Sequence, residues 1–296
     1  LIDNKIPVLL LSATMSEQPK DMKIPLYLMG LIPSLDDFKI YSRDLYFPDI
    51  PQEIEILKGD KKEKARKKFV DNQKSMSIRD NITEFFTRIS KNEIKQFMTN
   101  NTVVGELYES ENFKEINDAY NEIQRKIEEL KSTGWSYGFG EINKKRQEIE
   151  YLKVPIFVRL SKKYIEEGKS VIIFMNYLDP MEIIRKELTL FNQELSNDKK
   201  FEIGIINGKM KLMEKFEVAE KFQKNESTKI IISQIRAGGI SISLHDILGT
   251  SPRVALISLP PSGNTFVQSL GRAHRMNGKS NVLQIVILVK NVEYEE

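Results

Sequence analysis

The chain contains no cysteine, which excludes disulfide staples, cysteine-ligated zinc and thiol catalysis. His245 and His274 are its only histidines, too few for a histidine-rich metal site, so no protein-held metal is expected. No apolar run reaches the roughly 18 residues that a membrane-spanning helix needs. The run Ile6–Leu11 follows Asp3 and Lys5 and reads as a buried strand rather than a signal peptide. Charge of one sign is also scarce: 45 Lys+Arg against 42 Asp+Glu leaves +3, which does not by itself announce nucleic acid. With 40% hydrophobic residues, the 296 residues fit neither a disordered tail, nor a collagen-like fibre, nor an integral membrane protein. The length allows one large or two ordinary domains. The chain starts at Leu1 rather than methionine and ends just after a strand-like run, so a piece of a longer protein is expected.

Three zones differ in texture. Residues 1–45 hold one strand (Pro7–Leu11), a polar turn and a helical pattern around Asp21–Gly30. Pro25 should kink or delay that helix, and Gly30 is a natural stop. Residues 46–152 are charge-rich and mostly helical in pattern. Their segment Lys58–Lys68 carries seven basic and two acidic residues, either a solvated face or a DNA track. Further on, Ile116, Ala119, Tyr120, Ile123, Ile127 and Leu130 recur at three- and four-residue spacing, and a second stripe follows at Ile142, Ile149 and Leu152. The glycine- and aromatic-rich segment Ser132–Gly140 separates them, which predicts a helical hairpin. Trp135, Tyr137 and Phe139 could stack on bases or pin the loop to a neighbouring lobe.

Residues 153–296 alternate apolar runs with amphipathic helices. The runs are Val171–Met175, Ile203–Asn207, Lys229–Ser233, Arg253–Leu259 and Val282–Val289. The helices expected between them are Pro180–Phe191, Met210–Phe222, a short glycine-led one and Asn264–Gly271. Strands apolar nearly throughout imply helices on both faces of a parallel sheet. The expected class is therefore α/β, a doubly wound five-stranded sheet with a helical insertion before it.

Within that frame Gln268-Ser-Leu-Gly-Arg-Ala-His-Arg275 places two arginines three residues apart, on one face of a helix. Gly271 would let that face pack closely on a neighbour. Paired guanidiniums on a rigid element suit triphosphate oxygens, although a solvated basic helix would give the same spacing. Ser233-Gln-Ile-Arg-Ala-Gly-Gly-Ile-Ser-Ile-Ser-Leu244 follows a strand with a double glycine, an arrangement that exposes backbone N–H groups to an anion or merely packs tightly. Leu9-Leu-Leu-Ser-Ala-Thr-Met15, Val171-Ile-Ile-Phe-Met-Asn176 and Ile205-Ile-Asn-Gly208 complete the set.

In this order the segments resemble motifs III, IV, V and VI of the superfamily 2 helicases and translocases, with motif V closest to the Swi/Snf-type and strawberry-notch-like groups. The run from Gln147-Glu-Ile-Glu150 to Val154-Pro155 is similar to the lead-in of viral and phage members. The resemblance implies a RecA-like, P-loop-type fold. Residues 1–45 become the end of a first lobe, 46–152 a helical insertion or linker, and 153–296 the second lobe. It further implies ATP hydrolysis between two lobes, with the Walker loop, acidic residues and Mg²⁺ supplied mainly by the first. Arg272 and Arg275 would be arginine fingers, with Gln268 sensing the nucleotide and Gly238, Gly239 and Gly271 beside it. Asn176, Asn207, Gly208 and Ser233 would face nucleic acid, expected to be DNA, and Ser12 and Thr14 would couple the sites.

Departures limit the match. Gly278 comes one residue late after Met276-Asn277, and Ser241 stands where some subfamilies carry an acidic ribose contact. No G-x-x-x-x-G-K-[ST] occurs, so these 296 residues alone are expected to hydrolyse no ATP. His274 reads as a packing or polar contact and His245 as a surface or turn residue. The competing class is a non-catalytic nucleic-acid- or partner-binding module on the same fold. A Rossmann-like enzyme would need an early G-x-G-x-x-G, which is missing. The expected location is intracellular, nuclear or cytoplasmic, in a virus- or phage-infected cell.

Overall fold

The computed structural model describes residues 22–28, 31–43, 50–56, 58–81, 98–133, 139–224, 227–236 and 242–296. The chain divides into two compact units, residues 1–90 and 91–296.

In the first unit four helices are described: α1 (Lys23–Leu28), α2 (Phe38–Arg43), α3 (Gln52–Glu55) and α4 (Gly59–Asn81). Pro25 sits in the first turn of α1, where its missing N–H has no intrahelical partner to lose. Met22, Leu26, Ile32 and Ile78 form a small core. The basic run opens α4, with Lys61, Lys64, Arg66, Lys67 and Lys68 exposed. Lys62 pairs with the Glu55 carboxylate at 2.6 Å. The strand Pro7–Leu11, and with it Ser12 and Thr14, lies outside the described residues.

The second unit is built on one six-stranded parallel sheet: β1 (Asn101–Tyr108), β2 (Ser170–Met175), β3 (Glu202–Ile206), β4 (Thr228–Gln234), β5 (Arg253–Ile257) and β6 (Val282–Val289), in spatial order β1-β6-β5-β2-β4-β3. Five strands fall where the apolar runs predicted them. The sixth lies in the middle zone, whose sequence pattern is mostly helical, and was not expected. β1 pairs in parallel with β6 along its whole length, from Asn101 opposite Val282 to Tyr108 opposite Val289. It is an edge strand of alternating exposure, so it lacks the continuous apolar run that gave the inner strands away.

Helices α5 (Phe113–Thr133), α6 (Phe139–Leu152), α7 (Val154–Glu166) and α8 (Leu178–Glu194) cover one face. Ile116, Ile123, Ile142 and Ile149 share a core there with Val171, Ile173, Ile230, Ile232 and Leu256 of the sheet. The two predicted stripes thus face the sheet, in the same compact unit as the strands. Lys126–Glu141 and Lys145–Glu122 ion pairs join α5 to α6. On the other face Ile172, Phe174, Ile231, Ala255 and Ile257 meet α9 (Leu212–Gln223) and α10 (Gly263–Ala273) through Ala219, Phe222 and Ala273. Odd and even strand residues therefore serve opposite cores, as the period of two requires.

Lys153, the residue between α6 and α7, is buried against the Glu295 carboxylate and the Ile287 carbonyl. Tyr120 donates to the same carboxylate at 2.6 Å. Burial lowers the affinity of the Lys153 amine for its proton and the Glu295 charge partly restores it. This buried set ties α5, the α6–α7 joint and the segment after β6 into one body.

Candidate nucleotide and nucleic-acid site

Because every strand points the same way, the sheet has two chemically distinct edges. At the carboxyl edge the loops after β2, β3 and β4 meet. Gln234, the last residue of β4, donates from Nε2 to the Asn176 carbonyl at 3.3 Å, and its Oε1 accepts the Gly208 N–H at 3.2 Å. Asn207 turns its loop by accepting the Lys209 N–H at 2.9 Å. Asn176, Asn207 and Gly208, named from sequence, are brought together here. Ser233 is different: it is buried in the sheet, in register with Phe174 and Ile206. The side chain that reaches the neighbouring loops is the next one, Gln234.

Sequence reading had no role for Glu150. The Glu150 carboxylate, in the last turn of α6, accepts the Asn176 N–H at 2.9 Å, the Asn176 side-chain amide at 2.8 Å and the Tyr177 N–H at 2.9 Å. The Ser258 hydroxyl, just beyond β5, donates to it at 2.5 Å. Burial pushes the Glu150 carboxyl above its usual range, and these four donor groups pull the other way.

The arginines occupy the opposite edge. β5 leads through five residues into α10, which runs back along the sheet and returns the chain at Ala273 towards the start of β6. Ser262 caps the helix by accepting the Thr265 N–H. Gln268 lies exposed in mid-helix and Arg272 is buried in its last turn. Arg275 is not on the helix, which corrects the shared-face expectation. His274 is extended (φ −121°, ψ 115°), its Nε2 bonds the Thr99 carbonyl at 2.9 Å, and Arg275 starts a turn closed by the Gly278 N–H at 2.9 Å. Burial first, and then the charge of Arg275, depress the Arg272 pKa. Arg275 Nε is buried with no hydrogen-bond partner among the described residues. A buried guanidinium on Arg272 and an unspent buried donor on Arg275, three residues on, fit a polyphosphate chemically.

Two further expectations change. A Cβ built on Gly271 meets no described atom within 4 Å, so close packing does not explain that glycine. His245 is buried and pairs through Nδ1 with Gln223 Nε2 at 3.2 Å. Burial, then the charges of Arg275 and Arg253, hold its pKa below 6.5. His274 is the polar contact that was expected.

Gly238 and Gly239 lie outside the described residues. The start of the short glycine-led helix expected there lies outside them too, and from Ile242 to Pro252 the chain forms no helix. The buried Asp246 carboxylate instead gathers the N–H groups of Leu248, Gly249 and Ser251 at 3.0, 3.1 and 2.9 Å, an arrangement that competes with helix. The tripeptides Gly168-Lys-Ser170 and Gly278-Lys-Ser280 lead into β2 and β6, whereas a phosphate-binding loop follows a strand and opens a helix. Among the described residues no group of three or more Asp, Glu, His or Cys could hold a metal ion.

Residues 153–277 match the family described as the helicase conserved C-terminal domain. The whole chain is 39% identical over 298 residues to a protein of Acanthamoeba polyphaga mimivirus named "Putative ATP-dependent RNA helicase L364", and spans 53% of that protein's length. Among solved structures it is similar to the Sulfolobus solfataricus SWI2/SNF2 ATPase core in complex with dsDNA, at 15% identity and a TM-score of 0.44, covering 88% of this chain and 52% of that one. It is also similar to S. cerevisiae Dbp5 bound to RNA and ADP BeF3, at 15% identity and a TM-score of 0.36, covering 86% and 50%. Strands β2 to β5 and helices α7 to α10 thus fall within the segment that matches the helicase conserved C-terminal domain, and β1 and β6 extend the sheet beyond it.

Proposed function

We propose that this chain supplies the second RecA-like lobe of an ATP-dependent helicase or translocase. In this reading residues 1–45 close the first lobe, the segment that follows leads into a second lobe that takes in β1, α5 and α6, and ATP with Mg²⁺ is held mainly by the first. The observation that carries it is that one edge of the lobe holds the buried Arg272 and, three residues on, Arg275 with a buried Nε–H that has no partner among the described residues. Their fixed positive charge would stabilise the charge that develops on the transferred phosphoryl group. At the other edge, beside Asn176 and Gly208, the side-chain amides of Asn207 and Gln234 would donate N–H groups to a phosphate backbone. The substrate proposed is DNA. The name of the mimivirus relative favours RNA as a second reading, and stimulation of ATP turnover by duplex DNA against duplex RNA decides between them.

The test is Arg272→Ala and Arg275→Ala in the full-length protein. Each should lower ATP turnover by roughly 10³-fold or more, in line with known arginine fingers, and leave the Kd for nucleic acid within about threefold, since that edge is untouched. Normal turnover in both variants would refute the reading. Loss of nucleic-acid binding with retained turnover would favour the non-catalytic binding module.

A further inference from the structure

Glu150 stands 26 residues before Asn176 and 108 before Ser258, on a helix outside the motif-bearing strands. A buried carboxylate is costly unless it is fully hydrogen-bonded. Here every donor it meets belongs to the carboxyl edge of the sheet. The Asn176 N–H reaches both carboxylate oxygens, at 2.9 and 3.0 Å. Tyr177 is the N-cap of α8, so the negative charge also sits where the helix leaves N–H groups open and its dipole is positive. A second tie from the same helix, Gln147 Nε2 to Asp179 at 2.6 Å, keeps α6 in place over the start of α8.

The chain of bonds does not stop at Asn176. It continues through the Asn176 carbonyl to Gln234, and through Gln234 to the Gly208 N–H. One carboxylate on α6 thus holds the loops after β2 and β5 directly, and those after β4 and β3 through two further residues. An apolar side chain at position 150 could fill the same volume, but it would leave four donor groups unmatched at the strand ends.

Resting on the proposed reading of this edge as the nucleic-acid track, we propose that Glu150 is a positioning residue: through Asn176 it sets the strand-end loops in the arrangement that presents Asn207 and Gln234 to a nucleic-acid backbone. The helical hairpin is then a fixed part of the track.

The test compares Glu150→Gln and Glu150→Ala with wild type in the full-length protein. Glutamine keeps the volume, so its thermal midpoint should stay near wild type while one acceptor oxygen becomes a donor. Losing a tie worth about 1.4 kcal/mol corresponds to tenfold. The concentration of duplex DNA giving half-maximal ATP turnover should therefore rise about tenfold, with turnover at saturating DNA changed less than about threefold. Amide exchange should quicken at Asn176 and Tyr177 in both variants and stay unchanged at Ile172 and Ile173 in mid-strand. Unchanged exchange at Asn176 and Tyr177 overturns the proposal, as does a parallel fall of saturated turnover and DNA response. If wild-type turnover ignores both DNA and RNA, the functional reading fails. The exchange measurement still decides whether Glu150 sets the loops.

Discussion

Arg253 offers a sharp test of how this lobe tolerates charge in its core. The side chain is 1% exposed on β5. Its guanidinium lies 4.1 Å from the centroid of the Phe222 ring and donates from Nη2 to the Phe222 carbonyl at 2.8 Å. Nε and Nη1 have no hydrogen-bond partner among the described residues. Burial lowers its pKa from 12.5 to about 10, opposed by the charge of Asp246. Such a shift corresponds to about 3 kcal/mol against the charged form. Arg253→Met removes that penalty together with a desolvated cation–π contact of about 2 kcal/mol and a carbonyl's hydrogen bond of about 1 kcal/mol. The terms nearly cancel, so the methionine variant should be within about 1 kcal/mol of wild type, a thermal shift of about 4 °C at most. Arg253→Ala leaves a cavity as well and should cost about 2–5 kcal/mol. Urea titration and thermal melts of both variants measure the difference. A methionine variant as unstable as the alanine one would refute this balance and make the charge itself indispensable.

Other outcomes follow from close contacts and titration. A Cβ at Gly204 would come within 2.7 Å of Val218 Cγ1, where α9 lies against β3, so Gly204→Ala should cost about 1–3 kcal/mol. A melt unchanged within error would show that α9 can move away. His245 has a folded pKa below its ordinary 6.5, so the unfolded chain takes up its proton first as the pH falls. Stability should accordingly drop as pH falls below 6.5, by at most about 1.4 kcal/mol per pH unit from this group. His245→Asn should melt with a flatter profile between pH 7.5 and 5.5, and an equally steep one would discount the histidine. Purified as these 296 residues, the chain should hydrolyse no ATP. Turnover that survives removal of contaminating ATPases would contradict the dependence on a separate phosphate-binding loop.

Legibility in the sequence followed the kind of partner each residue has. Val171–Met175 and Arg253–Ile257 are buried on both faces and flanked by strands on both sides, so burial alone writes them as apolar runs. β1 has a single neighbour and an exposed first half, so Asn101, Thr102 and Gly105 could enter it and hide the strand. The stripe from Ile116 to Leu130 was readable because a helix face is a local pattern. Glu150 was not, because its partners come from loops 26 and 108 residues further along. His245 misled for the same reason: the residue that buries and bonds it, Gln223, is on α9. Arg275 was placed on a helix by its spacing alone, whereas the tertiary bond from His274 to Thr99 ends the helix one residue earlier.

The separation of the two clusters constrains how they can communicate. Arg253 opens β5 and Ile257 ends it, so the edges are about 13 Å apart at the pleated rise of 3.3 Å per residue. The arginine edge and the Asn176–Gln234 edge therefore share no direct contact, and coupling must pass along elements that span the sheet. Two candidates have polar contacts at both ends. β5 carries Arg253 at one end and leads to Ser258, bound to Glu150, at the other. α10 starts at the Ser262 cap and ends where the Leu244 N–H bonds the Arg272 carbonyl at 2.8 Å. Of these, α10 is the less firmly tied. Its inner face holds Phe266, Leu270 and Ala273 against one core, whereas β5 is bonded to strands on both sides and buried at every residue. A shift of α10 along its own axis would displace Arg272 while leaving Ser258 and Glu150 in place. The strand-end loops would then act as the fixed side of the lobe and the arginine helix as its moving part.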